Sequence, residues 1–230
     1  MMKLGIIGGM GPFATLDLFK KILEVSQVDL DQEHLHILID NNPQIPDRTT
    51  FLMGSGENPY PFILESAKTL IKLNCSVLCM PCNTAHYWAH QLKKDIDGKT
   101  LFIDMIETVK EYIYLKYGNK VKALIMGTNG LVKSKIYDKY FESSMLIYPE
   151  NSLQKEVMTI IKFIKAGKTS EMIGVFKELL LKLRQYKSDL LVAACTEIPI
   201  ILPFINNDIE ILDSNLLLAQ KVVDVAYERI

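Results

Sequence analysis

The chain has 230 residues, 49% hydrophobic and 23% charged, enough apolar material for one sizeable core or two small packed domains. Its 26 basic and 27 acidic residues give a formal net charge of −1 at pH 7, so no surplus charge draws it to nucleic acid or anionic lipid. The longest apolar run, 190–205, carries Thr196, Glu197, Pro199 and Pro203, which excludes a membrane span there. The glycine- and proline-broken start has no cleavage site, so the mature chain is expected to begin here. The four cysteines are then expected to be reduced thiols in a cytoplasmic setting, reactive or buried rather than disulfide-bonded.

The opening "KLGIIGGMGPFAT" predicts a strand over 3–7, a glycine turn, and a helix over 12–28. Gly9, Gly11 and Ala14 satisfy the G-x-G-x-x-G/A spacing that sets a pyrophosphate on a helix N-terminus. A strand over 34–40 ends at Asp40, where a dinucleotide site would want its ribose-binding acid. One reading is therefore a nicotinamide-dependent oxidoreductase. The stretch "DNNPQIPDRTTFLMGSGENP", 40–59, reads as a long irregular functional loop. Arg48 within it has the fork that clamps a carboxylate, although a loop arginine taken alone faces solvent.

Further on, a helix over 61–73 and a strand over 76–80 lead to "PCNTAHY" at the head of a helix over 84–94. A strand over 101–103 ends in Asp104, a helix spans 105–117, and a strand over 122–126 meets "MGTNG". A strand over 145–147 precedes a helix over 154–166. Lys165 closes that helix, where the dipole favours a cation whatever its function. Strands over 190–193 and 210–212 follow, the first leading into "ACTEIP" and the second into Asp213. Short strands alternating with helices predict an α/β fold with mainly parallel sheets.

The second half repeats the first. "LIMGTNG" echoes "GIIGGMG", "LLVAACTEIP" echoes "SVLCMPCNTAH", and each cysteine segment is followed by a strand ending in aspartate. The repeat predicts two similar, pseudo-symmetric three-layer α/β domains with the active site in the cleft between them. Cys82 and Cys195 would sit at matching strand ends, where open α/β sheets bind ligands, beside helix-start N–H groups that favour thiolate. Two thiols facing one carbon suit inversion at an α-carbon, which needs a base on one face and an acid on the other.

Cys79 and Cys82 form a C-x-x-C, but Cys79 lies inside the predicted strand and no second pair completes a zinc site. Cys75 reads as core filler. His34, His36 and His86 read as structural histidines, His86 standing one helical turn from Cys82.

The pieces "GIIGGMGP", "NNPQIPDRT", "PCNTAHY", "FIDMIE", "MGT" and "ACTEIP", in this order over almost the whole length, resemble the aspartate racemase branch of the cofactor-independent aspartate/glutamate racemase superfamily. Glutamate racemases typically carry Asp-Ser and a histidine where this chain has Gly9-Met10 and Glu197. Relatives often have glycine where Ala194 stands. The resemblance implies that Cys82 and Cys195 are the catalytic acid/bases, with no pyridoxal phosphate, metal or nucleotide. It implies that Asn83, Thr84 and Thr196, with the backbone around Met10 and Thr128, hold the α-carboxylate and ammonium. It gives Arg48 and Lys165 the side-chain carboxylate. It further implies one domain from 1–98 plus 213–230 and another from 99–212, the last helix returning to the first, and a cytoplasmic homodimer acting on an acidic amino acid. Racemases of broader specificity share these motifs, other superfamily members decarboxylate or isomerise small diacids, and a non-catalytic amino-acid-binding protein is the remaining alternative.

Overall fold

The computed structural model describes residues 2–228 except 97, 99 and 207. In chain order the elements are β1 (Lys3–Gly8), α1 (Pro12–Ser26), β2 (His36–Asn41), α2 (Arg48–Leu52), α3 (Tyr60–Lys72), β3 (Val77–Cys79), α4 (Ala89–Asp95), β4 (Leu101–Ile103) and α5 (Met105–Tyr117). The second half follows with β5 (Ala123–Gly127), α6 (Asn129–Lys133), β6 (Leu146–Ile147), α7 (Asn151–Lys165), α8 (Ile173–Leu183), β7 (Leu190–Ala194), α9 (Ile198–Ile201), β8 (Ile211–Asp213) and α10 (Ser214–Ala226). Among the described residues the strands form two four-stranded sheets, ordered β2-β1-β3-β4 and β6-β5-β7-β8, with every neighbouring pair parallel. The two orders are the same permutation, so the repeat in the sequence is a repeat in topology.

Parallel strands covered on both faces must be apolar throughout, and β5 and β7 are buried at every residue. Helices supply the cover. In α7 the buried Leu153, Val157, Ile160, Ile161 and Ile164 recur on one face. They pack with α8 against one side of the second sheet, each such side chain contributing about 1.5–3 kcal/mol by leaving water.

The two halves exchange helices. Ile106, Val109 and Ile113 of α5, which follows the first sheet, pack under the second with Ile125 and Val192. Leu218, Ala219 and Val222 of α10, which follows the second sheet, pack under the first with Leu4 and Val77. The aspartates that end β4 and β8 start these helices: Asp104 accepts from the Ile106 and Glu107 N–H groups, and Asp213 from those of Asn215 and Leu216.

Three expectations are corrected. The strand at 101–103, which a division at 98/99 gives to the second unit, pairs with β3 in the first sheet through Val77 and Leu101. Residues 99, 229 and 230, where expected boundaries fall, lie outside the described residues. The segment 40–59 is not wholly irregular, because β2 runs through Asn41 and Asp47 caps α2 by accepting the Thr50 N–H at 2.7 Å. The helix expected over 84–94 begins as a tighter 3-10 turn, Thr84–Trp88, before α4 takes over at Ala89. No helix among the described residues is long and apolar enough to cross a membrane.

Candidate active site

Cys195 directly follows β7 and Cys82 lies three residues beyond β3, the equivalent strand of the other sheet. Both are buried, 6% and 5% exposed for Cys82 and Cys195. They line one narrow cleft together with Arg48, Thr84, Thr128 and Lys165. Inside it the centre of a water molecule has about 10 Å³ in which to move, space for roughly one water. A wider space of about 260 Å³ opens beside it between Gly11, Phe13, Pro43, Arg48, Lys165 and Glu197.

The neighbouring cysteines stand apart from this cleft. Cys79 packs with Leu4 and Ile6 on one face of the first sheet, whereas Cys82 packs with Met80 and Trp88 on the other. The C-x-x-C is thus split across the sheet. Cys75 is core, as the sequence suggests. Cys195 departs from the expectation of a thiol primed as thiolate: burial, and then the Glu197 carboxylate, push it well above the ordinary thiol value against the opposing pull of Lys165.

Asn83 has a position that fixes every proton around it. Ser214 donates its hydroxyl to the Ala193 carbonyl at 2.8 Å, so it accepts from Asn83 Nδ2 at 2.9 Å. Asn83 Oδ1 therefore faces Tyr137, whose phenol donates to it at 2.8 Å. This buried chain joins the strand end of the first sheet to Tyr137, packed on the second sheet, and through Ser214 to Ala193 of β7, and it holds the Asn83 amide as a clasp. Two threonines close the cleft from opposite halves, Thr84 Oγ1 lying 2.8 Å from Thr128 Oγ1. Thr128 also caps α6 by accepting the Leu131 N–H, and Thr196 donates to the Pro81 carbonyl across the cleft at 3.2 Å.

Arg48 is 7% exposed, which overturns the reading of a solvated loop arginine. Nη1 donates to the carbonyls of Ile45 and Pro46, Nη2 donates to that of Met10, and Nε, also buried, has no partner among the described residues. Lys165 faces the same cleft, where burial works against its charge but Glu197 and the two cysteines outweigh it and raise the ammonium above its ordinary value.

Glu197 and Asp47 also line the cleft. Neither stood out in the sequence as a site residue. Glu197 is 2% exposed; its Oε2 accepts from Cys195 Sγ at 3.0 Å, and its Oε1 lies 3.9 Å from Lys165 Nζ. The sequence signals were its place two residues after Cys195 in "ACTEIP" and its standing where glutamate racemases carry a histidine.

His86 is structural, as expected. The Met105 amide must donate, so His86 Nε2 accepts from it at 3.0 Å and Nδ1 carries the proton toward the Cys82 carbonyl at 2.8 Å. Burial holds the ring neutral, lowering it below its ordinary value against the pull of Asp104.

The glycine turn is used internally. A Cβ on Gly9, at φ +90°, would overlap the backbone of Asn42, and the Gly9 N–H donates to Thr15 Oγ1 at 2.9 Å. Met10 is buried beside Cys82, and Pro12, the first residue of α1, has no N–H to offer. Few donors are left for a pyrophosphate.

A family model described as Asp/Glu/Hydantoin racemase matches residues 7–222. The chain belongs to this racemase family. The chain is 26% identical over 234 residues to a broad specificity amino-acid racemase of Bacillus subtilis (strain 168), covering 98% of this chain and 99% of that one. Its fold overlays the aspartate racemase of Picrophilus torridus with a TM-score of 0.84 at 29% identity, covering 99% of this chain and 95% of that chain. An aspartate racemase homologue from Pyrococcus horikoshii OT3 shares the fold at 24% identity and a TM-score of 0.76, over 99% and 100% of the two chains. Membership of a racemase family indicates an isomerase, and the oxidoreductase reading of the first glycine turn falls away.

Proposed function

We propose that the chain interconverts L- and D-aspartate by two-base proton transfer, with Cys82 and Cys195 on opposite faces of the α-carbon. The observation that carries this reading is the placement of two buried thiols from matching strand ends in one cleft. One thiolate removes the α-proton while the opposite thiol delivers its own; the carbon inverts and the two sulfurs exchange protonation states. No pyridoxal phosphate, metal or nucleotide enters the step.

Thr84, Thr128 and Thr196 supply hydroxyls, and the backbone near Met10 and Thr128 supplies the close wall, for the α-carboxylate and ammonium. Asn83 contributes through one remaining amide hydrogen, since its carbonyl and its other N–H are held by Tyr137 and Ser214. The side-chain carboxylate meets Lys165 and the free Nε of Arg48. These two cations support an acidic substrate, because a neutral side chain would leave the buried Arg48 Nε without a counter-charge and Lys165 with only Glu197 at 3.9 Å. A homodimer in the cytoplasm is part of the same reading, on resemblance alone.

A second reading, a racemase of broad specificity, is favoured by the Bacillus subtilis relative. Chiral chromatography of exhaustively dialysed protein incubated with aspartate, glutamate and neutral amino acids separates the two. Inversion of aspartate well ahead of the rest supports the first reading, comparable rates across the panel support the second, and no inversion of any amino acid defeats both.

A further inference from the structure

The two halves repeat each other, yet the two thiols have different neighbours. Cys195 Sγ donates to Glu197 Oε2 at 3.0 Å, both groups being almost wholly buried. Among the described residues no carboxylate is hydrogen-bonded to Cys82 Sγ; the turn after Cys82 places Asn83 and Thr84 where the turn after Cys195 places Thr196 and Glu197. We infer that Glu197 is a positioning residue that keeps the proton on Cys195, so that the cleft rests with Cys195 as its acid and leaves Cys82 to act as the base.

The geometry is specific on this point. An S–H aimed at a carboxylate oxygen is stabilised in its protonated form, and loss of that proton would set a thiolate against a carboxylate in a cleft with room for about one water. Glu197 is itself fixed from several sides. Its Oε1 has no hydrogen-bond partner among the described residues and lies 3.9 Å from Lys165 Nζ. A Cβ at Gly11 would come to 3.2 Å of that oxygen, so the glycine turn of the first half walls the carboxylate in. The other groups facing Cys195 are Lys165 of α7, Tyr137 from the segment after α6, Cys82 across the cleft, and Arg48 and Asp47 at the start of α2. Lys165 is the counterweight: it keeps the combined charge of Glu197 and the reacting thiols from closing the site to an anionic substrate. Burial and the Glu197 charge raise the Cys195 thiol in the same direction.

The role assigned to Cys195 rests on the two-thiol reading, but the pairing with Glu197 is tested without substrate. The ultraviolet absorbance of thiolate is followed against pH in Cys82→Ala and in Cys82→Ala/Glu197→Gln, with Cys82→Ala/Cys195→Ala subtracted from each. The Cys195 midpoint is expected to fall by about one pH unit or more when the carboxylate becomes an amide of the same shape. A midpoint that stays put or rises overturns the inference. Should the double variant fail to fold, the infrared S–H stretch of the unmutated protein, less that of Cys195→Ala, decides. A band lowered by donation to a carboxylate upholds the pairing, and a band at the position of a free thiol, or none at neutral pH, overturns it. Because neither measurement uses an amino acid, a protein that shows the shift but inverts nothing sinks the proposed function and spares the pairing, and the reverse result sinks the pairing alone.

Discussion

Thr84 Oγ1 and Thr128 Oγ1 lie 2.8 Å apart, one from each half of the molecule, and together they shut the cleft at the thiols. With space for about one water between the walls, a substrate carboxylate enters by parting this pair and taking its place. Thr84→Val removes one hydroxyl and leaves Thr128 to cap α6. A hydrogen bond to a charged group contributes about 1.5–3 kcal/mol, so KM for aspartate should rise tenfold or more. The melting temperature should move little. Steady-state kinetics beside thermal melting check this, and an unchanged KM would remove Thr84 from the site.

Replacing either thiol should stop inversion. Cys82→Ala and Cys195→Ala are each expected to lower the racemisation rate by about 10²–10⁴, the range of a positioned acid or base. The folded protein should survive, since an alanine in either place removes one sulfur from a buried cluster. Chiral analysis of product measures the loss; a variant retaining most of its activity would show that its thiol is core filler.

Gly130 lets α6 approach α2 closely, and a Cβ there would come within 2.8 Å of Thr49 Cα. Gly130→Ala must push α2 away, and Arg48, the first residue of α2, moves with it. The expected outcome is a higher KM for aspartate with kcat less affected, although residue 130 touches no substrate. Equal losses in kcat and kcat/KM would mean that the displacement reaches the thiols rather than the cations.

These elements show how far the sequence could be read. The strand ends bearing Cys82 and Cys195 were legible because short apolar runs, a sharp turn and a repeat all agreed. Asp104 and Asp213 were legible as strand-ending aspartates, and the structure gives them their work as helix caps. Arg48 was not legible as a buried residue. Its burial depends on the carbonyls of Ile45 and Pro46 and on that of Met10, a contact spanning 38 residues that no local pattern encodes. Glu197 was marked by its place after Cys195, but not as a partner of that thiol: in an irregular turn, residues two apart follow neither the helix nor the strand period, so no local pattern showed that its carboxylate folds back onto Cys195. The helix at 48–52 was hidden by the proline and glycine around it and exists through the Asp47 cap and its packing on Gly130.

His86 makes stability depend on pH. It is buried neutral with both nitrogens engaged, and its folded value lies below the ordinary 6.5. The unfolded chain therefore binds a proton below about 6.5 that the folded chain refuses. The contribution is complete above that value and is lost as the pH falls below it. The melting temperature should decline from neutral to mildly acidic pH, and His86→Gln should flatten that part of the profile while lowering its plateau. A wild-type profile flat across this window would contradict the assignment.

The central claim is cofactor-free exchange of the aspartate α-proton at a two-thiol site. Proton NMR of L-aspartate in D2O with exhaustively dialysed protein tests it most directly, read alongside chiral analysis. The account predicts loss of the α-proton signal together with the appearance of D-aspartate. Full retention of the α-proton, or exchange that begins only when a cofactor is added, would contradict it.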